Sequence, residues 1–205
     1  MSDGFTALAD RIPEMGGRAI GPWLREWAAL CRTGAIVEVG CWLGAGTAQL
    51  AIGARVSGAE IHVYDRWQAR RSEVRKAYEL AGIRLTPGED TLPRVRETLA
   101  PFDVPIHFHQ GLIQRATWHG APIGLYVDDA SKQAATFAYM RAAFWPCLVE
   151  GAVLVLMDYH FHEKAGPRYL AQRQFMEAHT ERYTMVGDHL GGTSAAAFVS
   201  SRPQG

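Results

Sequence analysis

An α/β fold, a mostly parallel sheet with helices on both faces, is what the sequence predicts, and three observations predict it. Short apolar runs alternate with helical stretches along the chain. Four of the first five runs carry an acid at or near their end: Glu38, Asp65, Asp128 and Asp158. The first run enters a turn with glycines at 40, 44 and 46, and a helix-forming stretch follows.

The elements follow in order. Residues 1–33 form an N-terminal helical extension. Its first part, 1–18, is irregular or one short helix. Pro22 then sits near the first turn of a helix carrying Trp23, Leu24, Trp27 and Leu30. Thr33 and Gly34 end it. The first strand is 35–39 and its helix starts near 45. A second strand over 61–64 ends at Asp65. Residues 70–82 are helical, with Val74, Ala77, Tyr78 and Ala81 on one face. Pro87 and Gly88 break the chain, and 91–100 is another helix. The stretch 66–104 is the part most free to be a lid or insertion. The third strand is 105–109 and the fourth 124–127. A helix over 132–148 bends near Pro146. The fifth strand, 152–157, is fully apolar. After a helix at 169–179, strands at 183–186 and 195–200 run antiparallel across a turn at 188–193. The prediction is seven strands with an antiparallel final strand.

At 205 residues the chain reads as a single domain, 1–205. A formal net charge of zero creates no field that gathers nucleic acid or anionic lipid. The longest apolar run, 152–157, is far too short to span a bilayer. No signal-type apolar core opens the chain. Cysteines at 31, 41 and 147 lack paired spacing. That argues against a disulfide framework or a thiolate zinc site, and for a reducing, cytoplasmic setting.

Any one strand-end acid is a turn or cap residue when read alone. Four at equivalent positions point to a site, because open parallel sheets bind ligands beyond those ends. The glycines narrow the ligand. No lysine follows Gly46, so the turn is not a P-loop. The spacing Gly40-x-x-x-Gly44-x-Gly46 is not the dinucleotide fingerprint. It does occur in short-chain dehydrogenases, but their Tyr-x-x-x-Lys is missing. An NAD(P)-dependent oxidoreductase is therefore the rival reading. Glu38 is a poor neighbour for a pyrophosphate. It suits a cofactor bearing an ammonium and a sulfonium, and S-adenosylmethionine is such a molecule.

The ordered motifs are Glu38-Val-Gly40-x-x-x-Gly44-x-Gly46-Thr47, then Tyr64-Asp65-Arg66-Trp67, His109-Gln110-Gly111, Leu125-Tyr126-Val127-Asp128, and Glu150-Gly151-Ala152-Val153 running to Met157-Asp158-Tyr159. With these the chain resembles the Rossmann-like class I S-adenosylmethionine-dependent methyltransferases. It is most similar to the small-molecule branch of macrocin-type O-methyltransferases and cephalosporin-hydroxylase-like proteins. The resemblance covers roughly 30–200 and implies O-methylation of a sugar, phenol or natural-product scaffold. It implies that Gly40 and Gly44 let the backbone approach the methionine part of the cofactor, with Glu38 near its amino group. Asp65 would hold the ribose hydroxyls, Arg66 and Trp67 would flank the adenine, and Gln110, Gly111 and Leu112 would edge it. Thr47 and Asp128 complete the cofactor-binding set. A domain that keeps the cofactor but has lost catalysis is a further rival, because Met157 and Ala130 stand where relatives carry acids.

Relatives often bind a divalent metal after strands four and five. Here Asp128 and Asp158 would be the ligands, and two are too few for an oxygen-rich site. Asp129 adjoins Asp128, and adjacent side chains point in different directions. No metal is expected. Histidine is the other source of a base: His160 and His162 follow strand five beside Asp158, so His160, Asp158 and His162 are the expected catalytic set. His107 and His109 read as structural. The apolar faces of the Trp23 helix and of 134–148 are core or subunit contact, which leaves room for a homo-oligomer. The expected partner is a small-molecule methyl acceptor, with no nucleic acid and no membrane.

Overall fold

The computed structural model describes residues 4–16 and 18–201 of the chain. Residues 1–3, 17 and 202–205 of the expected domain lie outside the described residues. Helices α1 (Gly4–Ala9) and α2 (Gly21–Leu30) precede the first strand. Strands β1 (Ala35–Val39), β2 (Ile61–Asp65), β3 (Ile106–Gln110), β4 (Ile123–Asp128), β5 (Leu148–Leu156), β6 (Tyr183–Gly187) and β7 (Ala196–Ser200) form one seven-stranded sheet. Its order is β3-β2-β1-β4-β5-β7-β6. The first five strands pair parallel, and β7 runs antiparallel to both its neighbours. The predicted fold class is therefore the observed one.

The remaining helices are α3 (Ala45–Ser57), α4 (Arg71–Ala81), α5 (Leu92–Leu99), α6 (Ala134–Phe144), α7 (Phe161–Ala165) and α8 (Ala171–Glu177). All five residues of β1 are buried, which explains why this strand reads as an unbroken apolar run. Alternate residues serve two cores. Ile36, Ile61, Val63, Leu125 and Val127 meet residues of α2, α3 and α5 on one face. Val37, Val39, Tyr126 and Leu154 meet Phe137, Met140, Phe144 and Met176 on the other. A smaller cluster of Leu43, Ala69, Ala77 and Leu85 sits under α4.

Most element boundaries shift from the predicted ones by one or two residues, and three elements differ in a way that has a physical reason. The helix expected over 132–148 stops at Phe144, and a 3₁₀ turn holding Pro146 completes it. Pro146 lacks an N–H and cannot continue the α-helical ladder. Strand β5 begins at Leu148, ahead of the apolar run, because its exposed early residues Glu150 and Gly151 still lie within the strand. The five-residue α7 occupies what reads as loop, being too short to show helical periodicity.

At the outer edge of the sheet, His62 of β2 is the direct neighbour of His107 of β3. His107 and His109 lie two apart and share a face, so both stack against His62. Desolvation and the neighbouring rings push His62 down to about 4. Among the described residues no helix is long and apolar enough to cross a membrane.

Candidate functional site

A cavity of about 700 Å³ opens beyond the C-terminal ends of β1, β2, β4 and β5. Asp65, Asp129 and Asp158 line it, and so do the cations Lys132, Lys76 and Lys164. Gly40, Trp42, Ala130 and Met157 line it beside them. Residues of the 66–104 stretch, among them Arg66, Arg70 and Glu73, form one wall. Ala19 and the loop of Gly191 to Ser194 form the opposite side. That loop lies hard against the early segment: a Cβ on Gly191, where φ is +58°, would sit 2.7 Å from the Ala19 carbonyl oxygen.

Asp65 ends β2 and organises the glycine turn. Its Oδ2 accepts the backbone N–H groups of Cys41 at 2.7 Å and Trp42 at 2.9 Å. Its Oδ1 accepts the N–H of Trp67 at 2.9 Å. Trp42 and Trp67 both hold positive φ, at 49° and 47°. A bulky residue adopts that conformation only when surrounding bonds hold it there, and here one carboxylate does so for both.

Glu38 is 3% exposed and accepts a hydrogen bond from the Thr47 hydroxyl. A cavity of about 60 Å³ that shares Gly40, Trp42, Asp129 and Met157 with the main one reaches it. Among the described residues no cation faces Glu38. Burial therefore pushes its carboxyl up to about 8, and the nearby Asp129 and Asp65 add to the rise. The folded value lies above the ordinary 4.5, so the native state holds a proton that the unfolded chain has released. Stability then falls as pH rises between these two values. We expect the wild type to lose about 3 kcal/mol from this group between pH 5 and 7.5. Glu38→Gln should flatten that part of the thermal-melting profile; parallel wild-type and variant profiles would refute the assignment.

Asp128 and Asp129 divide their tasks. Asp128 is fully buried and turns back into its own loop, accepting from the N–H groups of Ala130 at 3.1 Å and Ser131 at 3.0 Å. Burial raises it to about 6. It does not line the cavity, which corrects its expected place beside cofactor or metal. Asp129, the next residue, opens into the cavity instead. Asp158 is 7% exposed, with Oδ1 3.0 Å from the Lys132 ammonium. Its Oδ2 is buried with no hydrogen-bond partner among the described residues. Burial raises both Asp129 and Asp158, and Lys132 opposes the rise at each.

Of the expected site residues, the structure brings Gly40, Asp65, Arg66, Trp67, Leu112 and Asp158 to the cavity. Gly44 does not line it; with φ of +95° it is the N-cap of α3 and packs on Leu99. Thr47 is buried against Glu38. Trp67 is 2% exposed and packs its ring edge-on to Phe108, so its indole is core. Gln110 reaches Asp90 at 3.0 Å, and neither it nor Gly111 lines the cavity.

The histidines also sit elsewhere. His160 has Nδ1 2.9 Å from Glu163 and Nε2 2.5 Å from Asp188, and it stacks on His189. His162 points Nδ1 at the Tyr159 carbonyl, 3.2 Å away. Neither ring lines the cavity, so of the expected catalytic set only Asp158 does. Sequence reasoning missed Trp42 and Lys132. Position could have flagged Lys132, which follows the acid after β4 by a few residues; nothing in the sequence singles out Trp42.

No family model matches the sequence, and no curated protein matches it. Solved structures do. The O-methyltransferase NovP is similar over 91% of this chain and 81% of its own, at 12% identity and a TM-score of 0.65. The SAH-bound methyltransferase PaMTH1 of Podospora anserina is similar over 98% and 89%, at 14% identity and a TM-score of 0.64. A putative caffeoyl-CoA O-methyltransferase from Staphylococcus aureus is similar over 98% and 93%, at 11% identity and a TM-score of 0.65. At these identities the likeness is one of fold: the chain has the seven-stranded, Rossmann-like sheet of these methyltransferases.

Proposed function

We propose that the chain is an S-adenosylmethionine-dependent methyltransferase acting on a hydroxyl of a small molecule. The observation that carries this reading is the charge around the inner cavity. Glu38, Asp65, Asp129 and Asp158 gather at or near the ends of β1, β2, β4 and β5, with Lys132 paired to Asp158, while Arg66, Arg70, Lys76 and Lys164 line the cavity further along the chain. Burial keeps a proton on Glu38 up to about pH 8, and a cationic group brought beside it would favour the ionised form, so this cluster of acids suits a cofactor that carries an ammonium and a sulfonium better than a diphosphate. The fold likeness to O-methyltransferases supports oxygen as the acceptor atom. The cavity volume of about 700 Å³ lies within the ordinary range for small-molecule sites. A sugar, a phenol or a natural-product scaffold is the acceptor class.

The residues present fit the cofactor. Asp65 ends β2, where a ribose is commonly held, and Glu38 is a buried acid without a cation. When bound, S-adenosylmethionine supplies an already activated methyl group, so the protein's work is alignment and removal of one proton. Asp158 is the proposed acceptor of that proton, because it lines the cavity and its buried Oδ2 has no hydrogen-bond partner among the described residues. Lys132, against Oδ1, holds that carboxylate in place and offsets negative charge developing on the acceptor oxygen.

Calorimetry with S-adenosylhomocysteine and with NADH tests the reading. Saturable binding of the first with no heat from the second is the expected result; the reverse overturns it in favour of an oxidoreductase. Turnover should also survive EDTA within about twofold. A divalent ion at Asp158 would have to displace the Lys132 ammonium, and Met157 and Ala130 add no hard oxygen donor. Complete loss with EDTA, restored by magnesium, is the contrary outcome.

A further inference from the structure

We propose that Glu60, His62 and His107 form a binding site for a divalent transition-metal ion of the zinc class, at the sheet edge and outside the cavity. The three residues offer one ligand atom each, all within 4.8 Å of one another. Glu60 immediately precedes β2, and His62 and His107 are register partners on adjacent parallel strands. The Glu60 carboxylate Oε2 lies 3.4 Å from His107 Nε2 and 3.9 Å from His62 Nε2. Ligands about 2.0–2.1 Å from a tetrahedral ion stand roughly 3.4 Å apart, so Glu60 and His107 already hold that spacing and His62 needs only a small approach.

His62 Nδ1 lies 3.0 Å from His109 Nε2. With the proton on Nδ1, that contact leaves Nε2 bare and turned toward Glu60, the way a second residue fixes the tautomer of a metal-bound imidazole. Trp118 meets His62 edge-on at 4.8 Å and restrains its ring further. The His62 and His107 ring planes lie 21° apart. Turning them toward a shared ion requires motion of His107, whose side chain is 47% exposed and free to move. Two imidazoles and a carboxylate, with a fourth position open to water, suit zinc, cobalt or nickel more than magnesium. No cysteine is needed, so the unpaired cysteine spacing has no bearing on it.

The second histidine cluster differs. In the group of His160, Asp188 and His189, both nitrogens of His160 are already engaged by carboxylates, and its ring lies 3.7 Å face to face on His189. Its ligand atoms are already spent on one another.

The site lies at the N-terminal ends of β2 and β3, the end opposite Asp65. An ion there would fasten the edge strand to its neighbour, adding stability to the native state alone. Full-length protein, stripped with EDTA and dialysed, would be titrated with zinc chloride by calorimetry and melted with and without the metal. We expect saturable uptake of about one ion per chain and a raised melting temperature. His107→Ala and Glu60→Gln, both at exposed positions, should each weaken binding at least tenfold, and His109→Phe about 10–100-fold. His189→Ala should bind as the wild type does. Absence of saturable uptake, unchanged affinity in His107→Ala, or loss of binding in His189→Ala would each overturn the assignment.

Discussion

Asp65→Ala should weaken S-adenosylhomocysteine binding by at least ~100-fold, about 2.7 kcal/mol. Two losses combine. The ribose loses its acceptor, and the N–H groups of Cys41, Trp42 and Trp67 lose theirs. Hydrogen bonds to a charged group contribute about 1.5–3 kcal/mol each, and the three are coupled through one carboxylate, so their effects do not add. With the carboxylate gone, the N–H groups of Trp42 and Trp67 lose the acceptor that supports their positive φ, and the glycine turn should relax away from the ligand. The melting temperature should therefore drop as well. Asp158→Ala, by contrast, should leave cofactor affinity within about tenfold of the wild type. Calorimetry on the two variants decides, and equal affinities for wild type and Asp65→Ala would remove the ribose assignment.

Asp158→Asn and Lys132→Ala should each lower kcat by about 10²–10⁴, the usual contribution of a positioned proton acceptor. Cofactor affinity should change little, because both groups serve the acceptor. The double variant should be hardly slower than either single one, since the residues act as one ion pair. Independent, multiplying losses in the double variant would show that the two work apart. Steady-state kinetics on a responsive acceptor, with calorimetry as the control, separates these cases.

Much of the fold is legible in the sequence because strands buried on both faces announce themselves. Residues 35–39 form a strand with the predicted bounds, and the second strand differs only in counting Asp65. Asp65 and Asp158 reach the cavity as acids after parallel strands should. The histidines went elsewhere because a distant contact steers their loop. The His160 N–H bonds the Ser194 carbonyl at 2.9 Å, which draws the segment after β5 toward the turn before β7. No local pattern around 158–163 carries that information. The exchange of Asp129 for Asp128 is a matter of one residue. Ala130 and Ser131 claim the first carboxylate, which leaves the second facing the cavity. Lys132 reads as the start of a helix, and only its position over Asp158 makes it chemical.

The close seat of Gly191 on Ala19 bears on how the molecule assembles. The mouth of the cleft is fastened by two segments almost as remote along the chain as any, so we expect their meeting to follow the pairing of the strands between them. The sheet can form before the mouth does. Any ligand enclosed there acts as a clasp on the last-made contact, and slow proteolysis of the 188–195 loop in its presence would be the visible sign.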